Sequence, residues 1–194
     1  MTIPPEVGAA KSALRERLLA RRRQRPPAER AAAAAAVATA LLRGLAGVRT
    51  IAAFAPEDTE PGHGRLPAAY TQLGARILLP VVPEDTGELR WAVDTGRLAP
   101  GRHGLLEPVG PRLGPTAIGA ADVVVVPSLA VARDGLRLGR GGGYYDRALR
   151  HARPGAVLVA LVFDEEFLDE VPAESHDHRV TAVVTPTGGW QDLA

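Results

Sequence analysis

The chain has 194 residues and no cysteine. That excludes disulfides, thiolate zinc sites, iron–sulfur clusters and a cysteine nucleophile. It fits a reducing compartment, and a cytoplasmic location is expected. No apolar run approaches the ~18 residues of a membrane helix. The opening MTIPPEVGAAKSALR has no apolar h-region, so neither a membrane partner nor a signal peptide is expected. Lysine is almost missing as well. Of 23 cationic residues, 22 are Arg and one is Lys11, beside 34 alanines. Such a bias replaces Lys wherever Arg serves. The survivor then marks a place that needs a compact ammonium rather than a planar fork.

A net charge of +1 gives no global field that demands a polyanion. The charge is unevenly spread. In residues 1–30, eight cations face Glu6, Glu16 and Glu29, giving +5 and leaving −4 for the remainder. The arginine-rich arm invites a nucleic-acid reading. However, the arm has no aromatic stacking residues and the chain has no recognised nucleic-acid motif, so no nucleic-acid partner is expected. The length fits one domain over 1–194, with residues 1–10 flexible.

Lys11 to Arg23 reads as a helix with an apolar stripe of Leu14, Leu18 and Leu19, its arginines covering the rest. Pro26-Pro27 breaks it. A second helix runs from near Ala28 through the alanine tract, with Val37, Leu41, Leu42 and Leu45 on one face, and ends at Gly44 or Gly47. Short apolar runs follow: Val48–Phe54, Arg76–Val82, Leu89–Val93, Asp122–Val126, Ala156–Phe163 and Val180–Val184. Near-continuous apolar strands belong to parallel sheets covered on both faces. Helices fall between several of them, around Pro67–Leu73 and Tyr144–Ala152. The expected fold is one α/β domain: a three-layer α/β/α sandwich around a mostly parallel, open, Rossmann-like sheet. Residues Gly96–Ala120, rich in Gly and Pro, read as a long functional loop.

The most informative stretch runs from Asp122 to Asp146. A buried strand ends at Pro127. A loop leads to Gly139-Arg140-Gly141-Gly142-Gly143, and a helix starts near Tyr144. Glycines let backbone N–H groups approach a ligand closely. The helix start adds free N–H groups. Arg137 and Arg140 bracket the turn with forks suited to phosphate or carboxylate. Asp146 stands where it could hold Mg²⁺ beside phosphates. The loop is not a Walker A sequence, since it lacks Gly-Lys-Ser/Thr. It is not G-x-G-x-x-G either.

LGRGGGYYDRAL, preceded by DVVVVPSLAVARDGLR, resembles the signature of the 5-formyltetrahydrofolate cyclo-ligase family. KSALRERLLARRR resembles that family's N-terminal helix, IAAFAPEDTEPG its first strand and acidic loop, and HGLLEP its Glu-Pro turn. ESHDHRVTAVVT resembles its last strand and the segment before it. The resemblance covers about 11 to 186. It implies an enzyme that closes 5-formyltetrahydrofolate to 5,10-methenyltetrahydrofolate while MgATP becomes ADP and phosphate, with ATP and Mg²⁺ required. The formyl oxygen would attack the γ-phosphate, and N10 would close on the activated carbon. Its partners would be these two small molecules, and it would act as a monomer.

By the same resemblance, ATP contacts fall on Lys11, Arg15, Arg137, Gly139, Arg140, Gly141, Gly142, Gly143, Tyr144 and Tyr145. Lys11 and Arg15 are four apart and share a helix face. The folate contacts fall on Ala55, Glu60 and the loop from Arg140 to Tyr144. A carboxylate at Glu60 can accept two N–H bonds from a 2-amino-4-oxo ring. Arg140 would stabilise the transferring phosphoryl group, and Tyr145 would lend a hydroxyl or stack on a ring. Asp146 and Asp177 would hold Mg²⁺. A His/Asp metal site at His176-Asp177-His178 is the alternative for Asp177. Phe54 and Trp91 either wall the pocket or fill the core.

Some positions depart from the family pattern. Gly62 and His63 replace an Asp-Thr-like pair, Thr181 stands where many members have Asp, and Ala55 is smaller than usual. Thr181 and Ala55 motivate a second reading, a folate- or nucleotide-binding paralogue without turnover.

Overall fold

The structure is a computed structural model and describes residues 5–84, 87–172, 174 and 177–193. Helix α1 spans Pro5–Gln24 and α2 spans Pro27–Gly44. Residues 5–10, expected to be flexible, form the first turns of α1. Proline is at home in a helix's first turn, where no N–H is needed. Pro26 is extended, with φ −56° and ψ 144°, so the chain turns there and Pro27 opens α2. At the far end, Gly44 is required by packing. A Cβ there would lie 2.3 Å from the Trp190 ring.

Thirteen strands follow among the described residues. They are β1 Thr50–Ala52, β2 Arg76–Val81, β3 Arg90–Val93, β4 Leu98–Pro100, β5 Leu106–Pro108, β6 Arg112–Leu113, β7 Val123–Pro127, β8 Ala130–Ala132, β9 Arg137–Leu138, β10 Val157–Leu161, β11 Phe167–Leu168, β12 Ala182–Thr185 and β13 Gly189–Asp192. The main sheet has eight strands in the order β13-β12-β10-β7-β1-β2-β3-β6. The inner five, from β12 to β2, are parallel. The antiparallel pairings lie toward the two edges. The mixed α/β fold with a large, mostly parallel sheet is therefore as expected.

Alternate side chains explain the layers. Ile51, Leu79 and Val125 point to one face and meet Val37 and Leu41 of α2 and Tyr70. Ala52, Leu78, Val124 and Val126 point to the other and meet Ile118, Ala148 and Leu149. Both faces are dry, which is why the strands are apolar throughout.

Helix α1 packs elsewhere. Leu14 and Leu18 bury themselves against Leu129, Ala130 and Leu138 of a small sheet ordered β11-β8-β9. Its arginines do not all face water. Arg22 is 1 % exposed and bonds both oxygens of Glu166, each at 2.7 Å, and the Ser128 carbonyl at 2.7 Å.

Three segments differ from the sequence expectation. Gly96–Ala120 is not a plain loop, because β4 and β5 pair as a hairpin and β6 extends the main sheet. The helix α3 covers only Tyr144–Ala148 and tightens into a 3-10 turn at Leu149–His151. The chain between Pro127 and Gly139 is the β8–β9 hairpin. Its Gly135 has φ +85°, and a Cβ would lie 2.4 Å from the Val180 carbonyl oxygen.

Candidate active site

Two cavities meet at the glycine loop. The first opens beyond the carboxyl ends of β1, β2 and β7 and is mostly apolar, with Phe54, Ala55, Val82, Leu89 and Pro127 in its wall. Strand β1 has β2 on one side and β7 on the other, and open α/β sheets bind ligands at such reversals. The β4–β5 hairpin contributes Leu105, Leu106 and Glu107 to the wall. Glu107 Oε1 accepts the Val82 N–H at 2.9 Å and so seats the hairpin. Gly101 is bare because a Cβ would lie 2.3 Å from the Glu107 carboxyl carbon.

Glu60 is 8 % exposed and lines this cavity. Its Oε2 accepts the Glu57 N–H at 2.9 Å. Burial pushes the Glu60 carboxyl above its ordinary pKa, and the Arg140 charge and the Glu57 N–H pull it partly back. Arg140 reaches across from the glycine loop. One of its terminal nitrogens lies 2.8 Å from Glu57 Oε2, and the other lies 3.2 Å from Glu60 Oε1.

Two hydroxyls point to a ligand in this cavity. Ser128 Oγ and Tyr145 Oη are buried, and neither has a hydrogen-bond partner among the described residues. Both residues line the cavity. Burial, reinforced by the Glu60 charge, raises the Tyr145 pKa well above its ordinary value, so the hydroxyl stays a donor. A buried hydroxyl left unsatisfied costs about 1–3 kcal/mol, which a ligand or water would recover.

The second cavity lies on the other side of the loop and is polar. Lys11, Arg15 and Arg137 line it together with Asp146, Glu174 and Asp177. Lys11 is 6 % exposed, and its Nζ donates to Glu174 at 2.8 Å and Asp177 at 2.7 Å. Arg15 donates to the Gly139 carbonyl at 2.9 Å. Arg137 is buried and pairs with Asp146. Gly139, Gly141 and Gly143 border both cavities. Gly141 has φ +98° and Gly143 φ +67°, conformations that L side chains rarely adopt. Arg147 braces the loop by donating to the Gly142 carbonyl at 2.9 Å, with its guanidinium over the Tyr144 ring.

The residues assigned to ATP, folate and Mg²⁺ collect at the two cavities, and His178 of the alternative metal site lines neither. Trp91 is fully buried in the core cluster and lines neither. Thr181 also lies outside them, and its hydroxyl accepts the Leu158 N–H at 2.9 Å on the edge of β10. His63 caps the acidic loop, with Nδ1 2.9 Å from the Pro56 carbonyl. Gly62 has φ +92°, and a Cβ would press on Leu66 at 2.7 Å, so the exchange there is a packing matter. Sequence reasoning missed Glu57, Glu107, Ser128 and Glu174. Each lies inside a stretch that resembles the family, but its place in the site is set by tertiary contact.

The carboxylates of Asp146, Glu174 and Asp177 are hard oxygen donors of the kind Mg²⁺ takes. Among the described residues, no group of three His, Cys, Asp or Glu is close enough to hold a metal unaided. Mg²⁺ usually takes one or two carboxylates and completes its shell with phosphate and water. His176 lies outside the described residues.

Comparison with known proteins identifies the family. The 5-formyltetrahydrofolate cyclo-ligase family profile matches residues 7–186. A 5-formyltetrahydrofolate cyclo-ligase of Mycolicibacterium smegmatis is 45% identical over 161 residues, 78% of this chain and 83% of that one. An Escherichia coli protein of the same name is 30% identical over 146 residues, 73% of this chain and 80% of its own. The Aquifex aeolicus 5,10-methenyltetrahydrofolate synthetase superposes with a TM-score of 0.79 at 26% identity, covering 94% of this chain and 92% of that one. The chain belongs to the 5-formyltetrahydrofolate cyclo-ligase family of enzymes.

Proposed function

We propose that the protein converts 5-formyltetrahydrofolate to 5,10-methenyltetrahydrofolate while MgATP becomes ADP and phosphate. The formyl oxygen attacks the γ-phosphorus, and the bond to the ADP oxygen breaks. The N10 lone pair then adds to the activated carbon, the N10 proton passes to solvent, and the former formyl oxygen leaves within phosphate. The observation that carries this reading is the pair of unlike cavities on one loop. An apolar cavity with the buried Glu60 carboxylate suits a flat heterocycle, and a polar one that sets three cations beside three carboxylates suits phosphates with a divalent cation.

In this reading Glu60 accepts N–H bonds from the pterin edge, while Phe54, Ala55 and Tyr144 line its faces. The Tyr145 hydroxyl donates to the bound folate. Lys11, Arg15 and Arg137 meet phosphate oxygens, and the N–H groups of Gly139 to Gly143 approach them. Phosphoryl transfer needs mainly positioning and positive charge on the equatorial oxygens. Arg140 supplies that charge from the loop between the cavities. Asp146 and Asp177 would hold Mg²⁺, which neutralises phosphate charge when bound. Arg137 and Lys11 then exchange carboxylate partners for phosphate ones, so no buried charge is left alone. The protein acts as a cytoplasmic monomer on two small molecules. Among the described residues, no helix is long and apolar enough to cross a membrane.

The test is direct. Purified protein, 5-formyltetrahydrofolate and MgATP should give the methenyl chromophore with one ADP per product. An intact protein that binds folate but forms no product would instead be the non-catalytic paralogue.

A further inference from the structure

Arg140 stands on the folate side of the loop. It borders the first cavity and not the second, and its two terminal nitrogens are taken by Glu57 and Glu60. The group that would stabilise the transferring phosphoryl is thus engaged by the carboxylate that would receive the pterin. A guanidinium at 3.2 Å from Glu60 Oε1 competes for the carboxylate edge that pterin N–H groups would approach, while Oε2 already accepts the Glu57 N–H at 2.9 Å.

The two carboxylates differ in kind. Glu60 is 8 % exposed at its side chain, so its bond to Arg140 compensates a buried charge. Glu57 is 40 % exposed and Arg140 41 %, so their pair is half in water and easily broken. Glu57 also supplies the N–H that fixes Glu60. Its side chain therefore adds a weak hold on Arg140, separate from the strong need of Glu60 for a donor.

We infer that Glu57 is a positioning residue: with Glu60 it holds Arg140 on the folate side until a bound heterocycle replaces the guanidinium at Glu60, which frees Arg140 to turn toward the phosphates. Folate binding and nucleotide binding are then coupled. Heterocycle N–H donors take over Glu60, and Arg140, left with only the exposed Glu57, exchanges it for a phosphate oxygen. By linkage the coupling is reciprocal, so nucleotide tightens folate by the same factor. The inference rests on the proposed function, since it needs both ligands.

The test is calorimetric titration of the protein with the β,γ-imido analogue of MgATP, with and without saturating 5-formyltetrahydrofolate. The native protein should bind the analogue more tightly when folate is present. In Glu57→Gln the hold is weakened while the backbone N–H to Glu60 remains. The analogue should then bind roughly two- to fivefold more tightly without folate, the range of an exposed ion pair. The ratio between the two conditions should shrink by the same factor. In turnover, Glu57→Gln should lower KM for ATP at low folate more than it changes kcat. Glu57→Asp, which keeps a carboxylate, should lie nearer the native protein. Equal analogue affinity and equal coupling in native and Glu57→Gln protein would overturn the inference, as would a native protein without coupling. In both cases methenyl product still forms, which separates these failures from failure of the proposed function.

Discussion

Lys11 Nζ lies 2.7 Å from Asp177 Oδ2, joining the N-terminal helix to the segment before β12 across 166 residues. The same ammonium meets Glu174 at 2.8 Å, and Asp177 Oδ2 also accepts the Glu174 N–H at 2.8 Å. One compact donor, only 6 % exposed, thus ties two carboxylates. The near absence of lysine elsewhere in the chain gains a physical reason at this position. Lys11→Arg should weaken binding of a MgATP analogue roughly tenfold, about the worth of one charge-assisted hydrogen bond. Nucleotide titration checks this; unchanged affinity would show that the position needs only a positive charge.

Arg22 and Glu166 fasten the same helix from its other end. Both are almost fully buried, and Arg22 also lies 5.7 Å from the centre of the Phe163 ring. Arg22→Ala leaves a buried carboxylate uncompensated and should destabilise the fold by roughly 3–5 kcal/mol. Replacing both, as Arg22→Met with Glu166→Leu, should recover most of that loss. Urea denaturation of the native protein and these two variants reads both effects. A single variant as stable as the native protein would mean that α1 is held by Leu14 and Leu18 alone.

Much of the sheet was legible because its strands carry a uniform signal. Val123 to Val126 and Val157 to Leu161 are apolar at every position since both faces of the sheet are covered. The β8–β9 hairpin was not legible. Ala130 and Ala132 are small and packed against α1, more than a hundred positions away, while Val131 between them packs into the main core. The arginine arm misled for a related reason. Its periodicity shows which residues share a face, but not that Arg22 finds Glu166 at a separation of 144 residues. At the site, Glu60 and the glycine loop were readable as residue types in a pattern. That Arg140 spends its fork on Glu57 and Glu60 is a fact of tertiary structure.

Glu60 gives a pH signature. Burial raises its carboxyl above the ordinary value of 4.5, so protonation begins at a higher pH than for an exposed Glu. The protonated form loses acceptor capacity. KM for 5-formyltetrahydrofolate should therefore rise as pH falls through the folded-state pKa, and should level off above it. In Glu60→Gln the affinity should be low at all pH values and this limb should vanish. A limb that persists in Glu60→Gln would belong to another group.

The loop and the carboxylates can be separated by kinetics. Arg140→Ala should cut kcat on the order of a hundredfold or more, as removal of a transition-state donor does elsewhere. The variant should still fold, with a urea midpoint below the native one, because Glu60 loses the donor that compensates its buried charge. Asp146→Asn should raise the Mg²⁺ concentration needed for half-maximal rate, and a chelator should stop turnover in both proteins. Native rates for either variant would move the chemistry away from this loop.

The route of one oxygen atom tests the central claim most directly. 5-Formyltetrahydrofolate carrying ¹⁸O in its formyl group is turned over with MgATP, and the released phosphate is examined by mass spectrometry. Joining the two cavities across the Gly139–Gly143 loop requires the formyl oxygen to reach the γ-phosphorus, so one ¹⁸O should appear in each phosphate formed with the methenyl product. Product formed with unlabelled phosphate, the ¹⁸O having passed to water, would contradict phosphorylation of the formyl oxygen at this site.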